Sequence, residues 1–406
     1  MTAEPKAPSR ARELAQRVRE FVDTHVVPAE PEMFAGREVC AKLLVELQSK
    51  ARSHGLWGIG YPASLGGAGL PLTSYLLVAE QEGRSFYGPA VFGAETVVDV
   101  HMLDRFATPQ VRERFLLPVV RGEAVPSYGM TEPGKTGSEV SGFTTEVRFD
   151  QDRCTVRGRK WFISNADRAT FMTVMARSEG LGKHPKDAFT LVVVPTDATG
   201  FGIVRELPVL GHFTGQCEVE LRDVRVPHSH VVGERGAGLA VVQQRLGLAR
   251  TVRSMHWLGQ AQRGFDLMCR RLRSRRVQGG HLADKQLLGQ HVADSYAEIS
   301  AARALVRRAA ARIDQGRLHV DLGVAKLAAS RTAVAVLDRA VQVHGAEGLC
   351  DDTPLSVMYR AARSTRIYDG ADEVQISQMA PRILKTYADS EGFDFTDPVD
   401  DFAAPA

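Results

Sequence analysis

The chain has 406 residues, 44% hydrophobic and 24% charged, with a net charge of +3. That length allows two or three domains with buried cores, and the near balance of charge gives no global drive towards nucleic acid or a membrane surface. Five scattered cysteines (Cys40, Cys154, Cys217, Cys269, Cys350) share no CxxC spacing, so they indicate neither a metal site nor a disulfide scaffold and fit a reducing, cytoplasmic setting. No run approaches the roughly 20 apolar residues of a membrane helix, and the opening segment MTAEPKAPSRAR lacks the apolar core of a signal peptide.

Residues 1–10 read as a disordered lead-in. Helical spacing of Leu14, Val18, Phe21, Val22 and Val26 predicts a first helix over 11–26, ended by Pro28. A second helix is expected over about 39–54, then the glycine-rich segments around Gly58 and Gly66, then helices across 71–122. The pattern changes at about Val125. Short β-rich runs at 144–149, 154–156, 171–176, 189–195 and 218–221 are separated by Gly, Asp and Pro. From about Gly238, four long helical stretches follow at 239–273, 283–314, 318–344 and 355–387. The last residues, from Asp389, hold six acids, two prolines and no base, an acidic flexible tail. The expected domains are therefore 11–124 (helical), 125–236 (β) and 237–387 (helical bundle), with 388–406 as the tail.

Three motifs carry chemistry. Ile367-Tyr368-Asp369-Gly370-Ala371-Asp372-Glu373 puts an acid beside a glycine at a break between helical segments, where a carboxylate and an approachable backbone sit together. Far upstream, Tyr128-Gly129-Met130-Thr131-Glu132-Pro133 is a glycine-flanked loop that offers N–H groups and a hydroxyl to a flat polar ring. Between them, Gly158-Arg159-Lys160-Trp161-Phe162-Ile163-Ser164-Asn165 offers an aromatic face and a second hydroxyl. Read alone, each has a plainer meaning: a turn, β-domain core, or, for Asp369, a helix N-cap.

Together and in this order, the motifs resemble the acyl-CoA dehydrogenase family, over roughly residues 10–386. The resemblance implies a multi-domain α+β fold: an N-terminal helical domain, a middle β-barrel-like domain and a C-terminal four-helix bundle. It implies FAD as cofactor and α,β-desaturation of an acyl thioester, carried by CoA or a carrier protein, with Asp369 as catalytic base in place of the usual glutamate. By resemblance, Tyr128, Met130, Thr131, Phe162 and Ser164 meet the flavin, and Gly137 and Ser138 meet its phosphate, Ser138 also reaching substrate. The loop carrying Gly137 and Ser138 is one residue longer than usual. Arg275, Gln286, Gln342, Gly345 and Ala346 contact FAD from a neighbouring subunit, which implies a homodimer or homotetramer. Ala371 and Glu373 complete the cofactor set, and Arg250 and Gly370 lie against substrate. No metal is implied. An electron-transfer flavoprotein is the implied acceptor, and fatty acid metabolism the implied setting.

Several departures form a pattern. The acid that some branches place before the arginine is Ala249 here, leaving Asp369 as the family-matched base. Gly83-Arg84-Ser85-Phe86, Arg245-Leu246-Gly247 and Asp-Gly-x-Asp-Glu-Val resemble a subgroup typified by mammalian family members 10 and 11, where aspartate is usual. Two other readings use the same residues. Flavin oxidases of this fold include nitroalkane oxidases with an aspartate base. A non-catalytic relative binds DNA, for which Arg270-Arg271-Leu272-Arg273-Ser274-Arg275-Arg276 would track phosphates, although a helix end serving cofactor phosphates explains that run as well.

Overall fold

A computed structural model describes residues 7–182, 184–212, 214–316 and 320–389; the expected acidic tail lies almost wholly outside them. The described chain divides into two units. One comprises residues 61–67 and 96–246, the other residues up to 60, 68–95 and from 247 onward, so the division falls inside a single long helix.

The first unit is built on an eight-stranded sheet with strands β1 Pro126–Gly129, β2 Glu146–Phe149, β3 Arg153–Ile163, β4 Phe171–Ser178, β5 Phe189–Pro195, β6 Phe201–Glu206, β7 Cys217–Pro227 and β8 Val231–Val232. Their order is β6-β7-β3-β2-β4-β5-β8, and β1 runs parallel to β4. All seven residues of β5 are buried, as the unbroken Phe-Thr-Leu-Val-Val-Val run requires of a central strand. Val147, Val156, Val174, Val192, Val194, Val219 and Val226 form the core between strands.

β3 runs well past the expected 154–156 and carries residues 158–163 of the Trp161-Phe162 motif on its second half. Its pairing with β7 shifts register twice, between Val156 and Gly158 and between Lys160 and Ile163. At the first bulge Gly158 takes φ +152°, and a Cβ there would lie 2.7 Å from the Cα of Thr145, so only glycine fits. At the second, Phe162 takes a left-handed φ of 52°. A bulge re-aims side chains locally, and here it turns the Trp161-Phe162 pair.

The second unit is helical. Its opening helix, Ala7–Phe21, starts inside the segment expected to be disordered, and it does not stop at Pro28. A wider turn over Val22–Val26 passes the chain into Val27–Ala35, with Pro28 in the first turn. A proline there loses no intrahelical hydrogen bond, and a wide turn accommodates its ring. Arg37–Ser53 and Leu72–Glu82 follow. The C-terminal part comprises the long helix Gly238–Ser274, then Gln286–Asp314, Asp321–His344, Leu355–Thr365 and Asp372–Asp389. The fourth expected stretch is thus two helices, and the Asp369-Gly370 pair lies in the break. Buried ion pairs tie the unit together: Arg263 forks onto Glu30 at 2.7 and 2.8 Å, and Arg303 onto Glu80. No described helix is long and apolar enough to cross a membrane.

Candidate active site

The candidate residues fall in two groups, one in each unit. In the β unit the loop after β1 is laced to the end of β3. Thr131 Oγ1 donates to the Trp161 carbonyl at 2.6 Å, and the Trp161 N–H donates back to the Thr131 carbonyl at 3.1 Å. Ser127 Oγ donates to the carbonyl of Ser164. Met130 and Thr131 are thereby held beside Trp161-Phe162. A Cβ on Gly137 would stand 3.1 Å from the Thr131 methyl, so the lengthened loop folds back onto the same place. Phe162 is 48% exposed in strained backbone. An aromatic ring held outward at such a cost is a surface awaiting a partner, and a flat heteroaromatic ring system is the group that stacks on it. The residues present therefore fit a flavin.

Beneath this loop lies a buried ion pair that the sequence motifs contain but do not explain. Lys160 is fully buried; its Nζ donates to the Met130 carbonyl at 2.9 Å and to Glu132 Oε1 at 3.0 Å. Glu132 also accepts from the Thr144 N–H and hydroxyl and from the Thr145 N–H. Burial pulls the Lys160 ammonium down to about 8, against the attraction of Glu132. Burial alone would raise the Glu132 carboxyl; the Lys160 charge and the Thr144 and Thr145 hydrogen bonds outweigh it and hold it down to about 2. The pair is ionised at neutral pH. Tyr128 is occupied differently: the Arg245 guanidinium lies 3.9 Å over its ring and is itself paired with Asp99 at 2.8 Å.

In the helical unit, Arg250, Asp369 and Gly370 come together. Asp369 takes φ +57° and Gly370 φ +95°. The Asp369 side chain is only 8% exposed. Arg250 Nε donates to the Asp369 carbonyl at 2.9 Å, and Arg253 Nη1 donates to both carboxylate oxygens at 2.8 Å. Gln375 donates to the carbonyls of Asp369 and Gly370. Beside them, Trp257 Nε1 donates to the Tyr368 hydroxyl at 3.1 Å. Asp369 is not the first residue of the following helix; Asp372 and Glu373 open that helix. Asp372, 1% exposed, accepts from Arg331 and Arg366 and lies 3.8 Å from Lys326. Burial lowers Lys326 to about 8, partly offset by Asp372 and Asp369.

Arg275, Gln286, Gln342, Gly345, Ala346 and Glu373 are all exposed, and Ala371 is half-buried. Arg275 follows the long helix, its backbone bonded to Arg271 and Leu282, while Gln342 and Gly345 sit at the end of Asp321–His344; the Arg271–Glu347 pair links the two segments. Sequence reasoning missed Arg253, Lys160, Asp372 and Lys326. Lys160 and Asp372 stand inside the quoted motifs with no role assigned, and Arg253 stands three residues after Arg250, on the same helical face.

A helical, β and helical chain order with these motif groups defines an acyl-CoA dehydrogenase fold. Three family models match in order: the acyl-CoA dehydrogenase N-terminal domain over 8–123, the middle domain over 127–224 and the C-terminal domain over 236–384. The chain is 35% identical to "Probable acyl-CoA dehydrogenase FadE2" of Mycobacterium tuberculosis, covering 92% of this chain and 95% of that protein. It is 31% identical to acyl-CoA dehydrogenase family member 11 of Rattus norvegicus over 93% of its residues, and it spans 51% of that longer protein. Butyryl-CoA dehydrogenase of Megasphaera elsdenii superimposes with a TM-score of 0.81 at 26% identity, covering 95% of this chain and 100% of that one. The chain belongs to the acyl-CoA dehydrogenase family, oxidoreductases that act on CH–CH bonds.

Proposed function

We propose that this protein is an FAD-dependent dehydrogenase that desaturates an acyl thioester between its α and β carbons. Asp369 accepts the α-proton. The observation that carries this reading is the Asp369 carboxylate itself: nearly buried, in left-handed backbone beside a glycine, and held by Arg253 rather than spent on capping a helix. A buried carboxylate with fixed orientation is placed to act on a weakly acidic C–H, provided the substrate reaches it. Met130, Thr131, Phe162 and Ser164 would hold the flavin ring system, with Gly137 and Ser138 near its phosphate. Arg275, Gln286, Gln342, Gly345 and Ala346 suit FAD phosphates and adenosine of a second copy of the chain, because they are exposed and a guanidinium matches phosphate oxygens. Bound FAD supplies the two-electron acceptor for the hydride that leaves the β-carbon. Arg250 and Gly370 lie where the thioester is handled, and main-chain donors there would stabilise developing enolate charge.

The purified protein should contain FAD, and an acyl-CoA should bleach it anaerobically. Asp369→Asn should keep its FAD and lose the bleaching. Turnover retained by that variant would remove Asp369 from the mechanism. Rapid reoxidation by air with a substrate that is not a thioester would instead assign an oxidase.

A further inference from the structure

We infer that Arg253 is the positioning residue for the Asp369 carboxylate: it anchors the carboxylate group and keeps it charged. This rests on Asp369 being the base. An aspartate reaches one methylene less far than a glutamate, so its oxygens are placed by the backbone and by whatever grips the side chain. Two of these grips come from one face of the long helix. Arg250 Nε takes the Asp369 carbonyl, and one turn on, Arg253 Nη1 stands 2.8 Å from each carboxylate oxygen. The equal distances share one guanidinium nitrogen between the two oxygens, which holds the carboxylate in place and sets how far it can swing away from the helix. A misplacement of about 1 Å costs on the order of 100-fold in rate, so a short acid needs such a clamp more than a long one.

The charges facing Asp369 come from several elements. Arg250 and Arg253 project from the long helix. Lys326, on Asp321–His344, feels both Asp369 and Asp372, while Arg366 and Asp372 flank the break. Arg382, on the last helix, adds to the positive field at Arg250. Among these, Arg253 donates hydrogen bonds to both carboxylate oxygens. Its side chain is 35% exposed against 8% for Asp369, so the contact is open on the arginine side and shielded on the carboxylate side.

The test compares Arg253→Leu, Arg253→Lys and Asp369→Asn in the FAD-containing protein, with butyryl-, octanoyl- and isobutyryl-CoA as probes. Arg253→Leu should slow anaerobic bleaching about 100-fold, leave KM within about threefold, and move the acid limb of the rate profile to higher pH by about one unit. Arg253→Lys, which keeps the charge and loses the geometry, should recover part of the rate and most of the pH shift. A second readout needs no turnover: the isotope-edited infrared carboxylate band that vanishes in Asp369→Asn should titrate at higher pH in Arg253→Leu. An unchanged rate and titration in Arg253→Leu, or faster bleaching, would overturn the positioning role while leaving the base in place. Activity in Asp369→Asn would instead overturn the base assignment.

Discussion

Replacing Lys160 by methionine tests whether the flavin-facing loop depends on a single buried charge. The side chain keeps its length and loses its ammonium. Three consequences follow from the contacts. The Met130 carbonyl loses its donor, and an unpaired buried acceptor costs about 1–3 kcal/mol. Glu132 loses its buried cation; breaking such a pair from one side costs about 3–5 kcal/mol. That second cost is reduced here, because Glu132 keeps hydrogen bonds from Thr144 and Thr145. The recovered burial of an apolar side chain offsets roughly 1–2 kcal/mol. The net expectation is a loss of about 3 kcal/mol, read by urea or thermal unfolding together with FAD retained after gel filtration. Glu132→Gln alone should cost less, and the double variant should cost less than the sum of the two singles, because the pair is counted once. A loss below about 1 kcal/mol for Lys160→Met, or strict additivity in the cycle, would refute the idea that this pair sets the loop.

Acid should act on the same pair. The Glu132 carboxyl is held at about 2, below its unfolded value, so its contribution is complete above about pH 4.5 and is lost as pH falls towards 2; the loss amounts to roughly 3 kcal/mol, and Glu132→Gln should flatten that limb of a stability-versus-pH curve. Lys326 behaves oppositely. Its ammonium is held at about 8, and its Nζ has no hydrogen-bond partner among the described residues, so its buried charge costs stability below pH 8 and the cost is relieved between about 8 and 10.5. Lys326→Met should therefore raise stability at pH 7 by about 2 kcal/mol, with a higher Tm; a fall in Tm would show that Asp372 needs it. Gly370→Ala should cost about 2 kcal/mol and loosen Asp369, since a Cβ at φ +95° would lie 2.3 Å from Gln375 Nε2; equilibrium unfolding measures it.

Much of the fold is legible because burial imposes a period. The unbroken apolar run at Phe189–Pro195 and the spacing of three and four along the C-terminal helices leave few alternatives. What sequence reading loses is local geometry that overrides period. The apolar pattern runs straight through Ile367-Tyr368, so period alone reads 355–387 as one stretch; the break expected at Asp369-Gly370 is found over 366–371. Gly370 permits the break, while the Asp369 and Gly370 carbonyls are met by Arg250 and Gln375 instead of by helical N–H groups. Similarly, β3 carries a glycine and a left-handed phenylalanine, both of which argue against a strand when read singly. Pairing with β7 on either side of each bulge keeps it one.

The same distinction explains which site residues the motifs contain. Met130, Thr131, Phe162, Asp369 and Gly370 lie in short contiguous strings, so spacing along the chain finds them. Lys160 sits in such a string, but its partner Glu132 is 28 residues away, and Arg253 is 116 residues from Asp369. The Arg250 and Arg253 contacts to Asp369 come from one turn of one helix, so Arg253, which looks like ordinary charged helix surface, joins the motif-matched Arg250 at one loop. A carboxylate that must be both ionised and immobile needs a donor on its oxygens as well as a strained backbone behind it. The first requirement is met by Arg253 and the second by the Asp369-Gly370 turn, and substituting either partner alone should leave the other visibly intact.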